Sequence, residues 1–211
     1  MDENLTEEQQ LEQIRNWWKE NGTSVILGAV IGLSALGGWK FYQTHQIDTG
    51  RAASDAFEQV VKLSEQEGKS AELVKSAETL VKDHSGTVYA QFGQLYLARE
   101  AVKNNELDKA AEWLKAVAAK PEHEAIGHTA TIRLARILLA QNKAEEALAL
   151  AQVSKEKAGT YNGAYAMVRG DALLALGRLA DANAAFNEAK TEGDPVANHP
   201  ELSMKLDVTT P

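Results

Sequence analysis

The segment Asn104-Asn105-Glu106-Leu107-Asp108-Lys109-Ala110-Ala111-Glu112-Trp113-Leu114 decides the fold, because its pattern returns twice downstream. It returns as Gln141-Asn142-Lys143-Ala144-Glu145-Glu146-Ala147-Leu148 and as Leu176-Gly177-Arg178-Leu179-Ala180-Asp181-Ala182. A related turn, Glu67-Gly68-Lys69, lies upstream. The central residues Gly68, Asn105, Asn142 and Gly177 are spaced by 37, 37 and 35 residues. Gly and Asn tolerate the left-handed conformation in which helices end. Five residues beyond each of the last three turns stands an alanine, Ala110, Ala147 and Ala182. A side chain that small lets a second helix close tightly on the first.

The first helices repeat as well. Leu97-Ala98 and Leu134-Ala135 occupy one position of the unit, and Gly170 stands where the small residue of that pair is expected. A helix, a turn and a second helix take about 34 residues in tetratricopeptide (TPR) repeats. The expectation is an all-α, TPR-like helical-hairpin solenoid over 52–193, with units near 52–84, 88–120, 126–158 and 161–192. The first unit fits least, since Leu73 replaces the small alanine; terminal repeats are often atypical because they cap the stack. The Trp and Pro markers of the TPR pattern are mostly missing, and Pro121 alone resembles the closing proline. A plain helical bundle with Ala-rich interfaces is the competing architecture. No single hairpin buries its apolar face alone, so the units must stack, and stacking creates a concave groove suited to a peptide or a helix. Its lining is expected from first-helix positions that alternate with buried ones. The tail 194–211 reads as loop-like, with Leu202-Ser203-Met204-Lys205-Leu206 either packing on the last repeat or serving as a docking segment.

Upstream of the repeats the pattern changes. From Asn21 to Trp39 no residue is charged, and Val25-Ile26-Leu27-Gly28-Ala29-Val30-Ile31-Gly32-Leu33 is almost wholly apolar. A bilayer core of ~30 Å needs about 20 helical residues. The segment 23–42 matches that length and is expected to be a transmembrane helix. Trp17 and Trp18 before it, and Trp39, Phe41 and Tyr42 after it, suit the two headgroup belts. Lys19 and Lys40 can extend to the headgroups. Two readings compete. A cleaved signal peptide has a basic leader and a shorter apolar run, whereas Asp2, Glu3, Glu7, Glu8, Glu12 and Glu20 here outnumber Arg15 and Lys19. A buried core helix would rarely be so long or flanked by aromatics.

Within 1–22, Leu11, Ile14, Trp17 and Trp18 fall near helical spacing, which predicts a short interfacial amphipathic helix. Residues 43–51 are expected to be a linker. Gly28 and Gly32 form a GxxxG pair, and Ser34 with Gly38 repeats the small-xxx-small spacing that lets helix backbones approach in lipid. The spacing does not choose between self-association and contact with a different partner helix. Orientation is equally open. Arg15 and Lys19 on one side nearly balance Lys40 and Arg51 on the other, so the positive-inside rule returns a tie.

The remaining composition excludes more than it names. A net charge of −8 argues against nucleic acid as a partner, which requires clustered Lys and Arg. With no cysteine there is no disulfide, thiolate nucleophile or thiolate metal site. His123 and His128 are five apart, not the four that place two zinc ligands on one helix face. Gly68-Lys69-Ser70 ends like a phosphate loop, but the earlier glycine is replaced by Leu63. No catalytic, cofactor-binding or metal-ligating set is expected, and no enzyme activity.

Several stretches carry a resemblance to a known family. They are Trp17-Trp18-Lys19-Glu20-Asn21-Gly22, Gly37-Gly38-Trp39-Lys40-Phe41-Tyr42, His45-Gln46-Ile47-Asp48, Arg51-Ala52-Ala53-Ser54, Ile132-Arg133-Leu134-Ala135-Arg136 and Val168-Arg169-Gly170-Asp171-Ala172-Leu173-Leu174, together with 104–111. The chain resembles the YfgM family, ancillary subunits of the bacterial SecYEG translocon, over nearly its whole length. The resemblance implies a single-pass inner-membrane protein with a cytoplasmic N-terminus and a periplasmic TPR-like domain. It implies association with SecYEG and with PpiD, a membrane-anchored periplasmic chaperone of the prolyl-isomerase type. It also implies help in passing unfolded secreted proteins to periplasmic chaperones, and a restraining role in an envelope stress response. A membrane-tethered regulator and a self-associating homo-oligomeric scaffold are the alternative functions.

Overall fold

The computed structural model describes residues 7–191 and 200–210, and these residues are helical with short connections and no strand. By compactness the chain divides into two units, Met1–Arg51 and Ala52–Pro211. The long helix α1 (Glu7–Ser64) spans the division.

In the first unit α1 carries the apolar run. It is the one helix among the described residues long and apolar enough to cross a membrane, and its side chains over that run are almost all exposed. Two expectations change here. No separate amphipathic helix precedes the span: the described part of 1–22, from Glu7 onward, is already α1, while residues 1–6 lie outside the described residues. Asn21-Gly22 does not break the helix, because Asn21 Nδ2 donates to the Trp17 carbonyl at 3.0 Å and the Trp18 ring lies over the bare Cα of Gly22. Nor is 43–51 a linker. It is helical throughout, contains no proline, and its single Gly50 costs only about 1 kcal/mol of helix propensity.

The second unit is a stack of four helical hairpins. The end of α1 pairs with α2 (Ser70–Asp83), α3 (Val88–Lys103) with α4 (Leu107–Ala119), α5 (Glu124–Ala140) with α6 (Ala144–Ala151), and α8 (Asn162–Ala175) with α9 (Leu179–Thr191). The short α7 (Lys155–Ala158) and a 3-10 turn, Gly159–Tyr161, connect the last two. The second helix of the third hairpin therefore stops at Ala151 instead of reaching 158. Residues 192 and 193, at the end of the expected repeat domain, lie outside the described residues.

The turn residues adopt the conformation their chemistry favours. Gly68, Asn105, Asn142 and Gly177 all have positive φ, between 58° and 77°. At the last three the bonding is the same Schellman pair. Glu106, Lys143 and Arg178 N–H groups donate to the carbonyls of Ala101, Leu138 and Leu173 at 2.8, 2.8 and 2.9 Å. Ala110, Ala147 and Ala182 are fully buried where each second helix crosses the first. Side-chain sizes are matched across the crossing: Gly170 on α8 faces Phe186 on α9, and the ring occupies the space a β-carbon would need.

Two apolar clusters form the core. One joins α1, α2 and α3 through Val60, Leu73, Leu80 and Leu97; the other runs from α3 to the C-terminus. Trp113 packs against both and ties the first hairpin to the rest. Between α4 and α5 the buried Gln91 amide binds the connecting backbone from both sides. Its Nε2 donates to the Lys120 carbonyl at 2.7 Å, and its Oε1 accepts from the Glu122 N–H at 2.9 Å. Pro121 then seats against Gly127.

The tail corrects another expectation. Residues 194–199 and 211 lie outside the described residues, but Pro200–Thr209 is a helix, α10, packed along α9. Proline suits the first turn of a helix. Leu202 is buried, Lys205 Nζ meets Asp171 Oδ1 at 2.6 Å, and Asn183 Nδ2 donates to Thr209 Oγ1 at 3.1 Å. Of the two roles open to 202–206, packing on the last repeat is the one observed.

Candidate functional site

The first helices of consecutive hairpins line a cavity of about 530 Å³. Phe92, Leu95, Tyr96 and Arg99 project into it from α3 at i, i+3, i+4 and i+7, one face of that helix. From α5 come Ala125, Ile126, Thr129 and Arg133; Phe57 of α1 and Tyr161 before α8 close the ends. The volume falls within the ~300–1,000 Å³ typical of ligand sites. It is an open groove on the first-helix side of the stack.

One wall is aromatic. Phe57 has Phe92, Tyr89 and Tyr96 around it, with ring centroids 5.4, 5.9 and 5.9 Å away. The Arg99 guanidinium lies 5.5 Å from the Tyr96 ring centre, in cation–π contact. At the far end His128 stacks on Tyr161 at 5.0 Å, and its Nδ1 shares a 2.9 Å hydrogen bond with the Tyr165 hydroxyl. Burial raises the Tyr165 phenol above its usual value, so it stays a neutral partner.

The charged lining is basic. Arg99 and Arg133 are the charged residues among those that line the cavity, in a chain whose net charge is −8. Arg99 stands 3.7 Å from Glu100, but that carboxylate is turned into the α2 terminus. There Ser70 Oγ donates to it at 2.7 Å and Lys103 Nζ at 2.6 Å. Burial alone would raise the Glu100 carboxyl; these hydrogen bonds and the charges of Lys103 and Arg99 outweigh it and hold it below the ordinary value. Arg133 has no carboxylate partner among the described residues. Desolvation, then the like charge of Arg136, weakens its hold on its proton.

The expected site residues lie in the other unit. Gly28, Gly32 and Gly38 share α1 with Ser34, and a β-carbon on any of the three glycines would meet no atom within 4 Å. Trp17, Trp18, Trp39, Phe41 and Tyr42 are all more than half exposed. Trp18 and Trp39 are 21 residues apart on one helix, about 30 Å, the thickness of a hydrocarbon core. His123 stands at the residue before α5 without a capping side-chain bond, while His128 is packed against the two tyrosines. The groove residues Phe57, Phe92, Tyr96, Arg99 and Arg133 were not individually expected. The signal for them was in the repeat register, since Tyr96 and Arg133 each stand nine residues before their turn residue.

These features define a class: a helical-hairpin repeat protein with an apolar N-terminal helix of membrane-spanning length and an aromatic, basic groove. A family profile described as a tetratricopeptide repeat-like domain matches residues 15–210. A protein of Escherichia coli strain K12 named ancillary SecYEG translocon subunit is 32% identical over 188 residues, covering 89% of this chain and 88% of that one. Proteins of the same name from Aggregatibacter actinomycetemcomitans and Haemophilus influenzae are 28% and 26% identical, covering 88% and 90% of this chain and 89% and 91% of theirs. No solved structure matches the chain. The chain belongs to the YfgM family of ancillary SecYEG translocon subunits, within the tetratricopeptide repeat-like proteins.

Proposed function

We propose that this protein is a membrane-anchored protein-binding module that acts as an ancillary subunit of the Sec translocon and helps pass secreted proteins to periplasmic chaperones. The observation that carries the reading is one helix of membrane-spanning length joined in the same chain to a hairpin stack with an aromatic, basic groove. Its relatives' name supports the translocon as the partner. Residues 23–42 span the inner membrane, the N-terminus is cytoplasmic and the repeat unit is periplasmic, next to PpiD. Tethering raises the effective concentration of a weakly binding groove at the translocon exit. No metal or cofactor enters this function, and the protein performs no catalysis.

A test is purification of the full-length protein from membranes in mild detergent at native expression, with mass spectrometry of what accompanies it. Recovery of SecYEG and PpiD is the expected result. Recovery of cytoplasmic signalling proteins alone would transfer the reading to a membrane-tethered regulator. A reporter fused after Pro211 that is active only in the periplasm is the matching topology result.

A further inference from the structure

We infer that the groove between α3 and α5 binds extended peptide segments in which apolar or aromatic side chains alternate with carboxylates. This deepens the proposed function by naming the chemistry of its ligand, and it rests on that reading. The apolar side chains sit against Phe57, Phe92, Tyr96 and Ile126; the carboxylates meet Arg99 and Arg133.

The charge pattern carries the argument. Acids outnumber bases in the chain, 30 to 22, yet the two charged side chains lining the groove are both arginines. Some described exposed cations find an acid within one helical turn, Lys62 with Glu58 and Lys109 with Glu106 among them. Arg133 does not, and Arg136 one turn on adds a second positive charge instead of relieving the first. Arg136 stands six residues before its turn residue, as Arg99 does before its own, though only Arg99 and Arg133 line the cavity. Arg99 lies against the Tyr96 ring with its Nε 3.7 Å from Glu100 Oε1, and its terminal nitrogens make no hydrogen bond among the described residues, which leaves them for a carboxylate of the ligand. The aromatic shelf gives apolar side chains a surface that costs little conformational entropy to use. A basic or neutral segment has no such partner here, and a basic one leaves cation facing cation.

The test uses the full-length protein in lipid nanodiscs with fluorescein-labelled synthetic peptides in three matched versions. Each carries the same aromatic and aliphatic residues, interleaved with Asp and Glu, with Asn and Gln, or with Lys. Anisotropy should show the acidic version binding about tenfold tighter than the amide version, with the margin shrinking as salt is raised. Arg133→Ala should erase most of that margin while leaving the thermal melt unchanged, since Arg133 is exposed; Arg133→Lys should retain part of it. Equal binding of the three versions, tightest binding of the Lys version, or absence of binding overturns the inference. So does Arg133-dependent dimerisation in light scattering, which assigns the groove to a second copy. Co-purification of SecYEG with both parent and Arg133→Ala separates the two claims. If it persists while peptide charge proves irrelevant, the ligand chemistry fails and the translocon role stands. If the parent recovers no translocon, that role fails whatever the peptides do.

Discussion

Replacing Gly170 by alanine should destabilise the repeat unit, against the usual sign of such a change in a helix. Gly170 lies inside α8 with no positive φ, so helix propensity alone favours alanine by about 0.8–1.0 kcal/mol. The new methyl, however, would run into Phe186 Cε1 and Cδ1 and stand 2.9 Å from its Cζ. Phe186 has no exposed surface, and it is a rigid ring instead of a flexible chain end, so it cannot simply swing aside. Overpacking a filled core costs ~1–3 kcal/mol, and contacts this short place the cost at the upper end. The net loss is about 2 kcal/mol, or a fall in Tm of about 4–8 °C for a domain of this size. Circular dichroism of the full-length protein in mild detergent measures it. Gly50→Ala is the control: Gly50 is helical, has no atom near its missing β-carbon, and should rise by up to about 1 kcal/mol. Adding Phe186→Leu to Gly170→Ala should return ~1 kcal/mol or more beyond additivity, because the smaller side chain vacates the contested space. A Gly170→Ala variant that melts at or above the parent would refute the size-matching account of this crossing.

Other consequences follow from single residues. Glu100→Gln should cost about 1–3 kcal/mol at neutral pH by weakening charge-assisted bonds to Ser70 and Lys103. Because the folded carboxyl is held below its ordinary value, its contribution is present above the unfolded-chain pKa and lost as pH falls through the folded one. Chemical unfolding across the acid range should therefore show a shallower acid loss for Glu100→Gln than for the parent; equal slopes would count against it. Asn142→Ala should destabilise by ~1 kcal/mol and Asn142→Gly should not, since φ is +60° there; urea midpoints decide. Gln91→Leu removes both bonds to the 120–122 connection and should speed hydrogen exchange there, with proteolysis at Lys120 as a second readout. Leucine at both Gly28 and Gly32 should reduce recovery of membrane partners without moving the melt of the repeat unit; unchanged recovery removes the glycine face as a contact.

Much of the fold was legible because its punctuation is chemical. Gly68, Asn105, Asn142 and Gly177 announce left-handed helix ends whatever surrounds them, and Ala110, Ala147 and Ala182 mark the crossings at a fixed offset. The apolar span was legible from length alone. Residues 43–51 and 200–209 were misread for a shared reason. Their polar and Gly- or Pro-containing composition is neutral between loop and helix, and the outcome depends on neighbours. The first is flanked by helix on both sides, and the second is held by Leu202 and Asn183. The groove was legible only as a location. Phe57, Phe92 and Arg133 meet across three helices and 76 residues of sequence, and Arg133 has the local appearance of an ordinary solvated helix charge. Its place in a basic groove is visible only once the facing helix is known to carry an arginine as well.

The α10 helix bears on how such a stack ends. Each hairpin offers the next an apolar face, and the same rule applied between molecules would let copies add end to end without limit. With Leu202 buried and Lys205 joined to Asp171, α10 packs along α9 and covers the last hairpin from within the chain, and its outer side mixes Glu201 and Ser203 with the exposed Met204 and Val208. The stack thus ends on a single helix in place of another hairpin, an atypical terminal element of the kind that caps helical repeats.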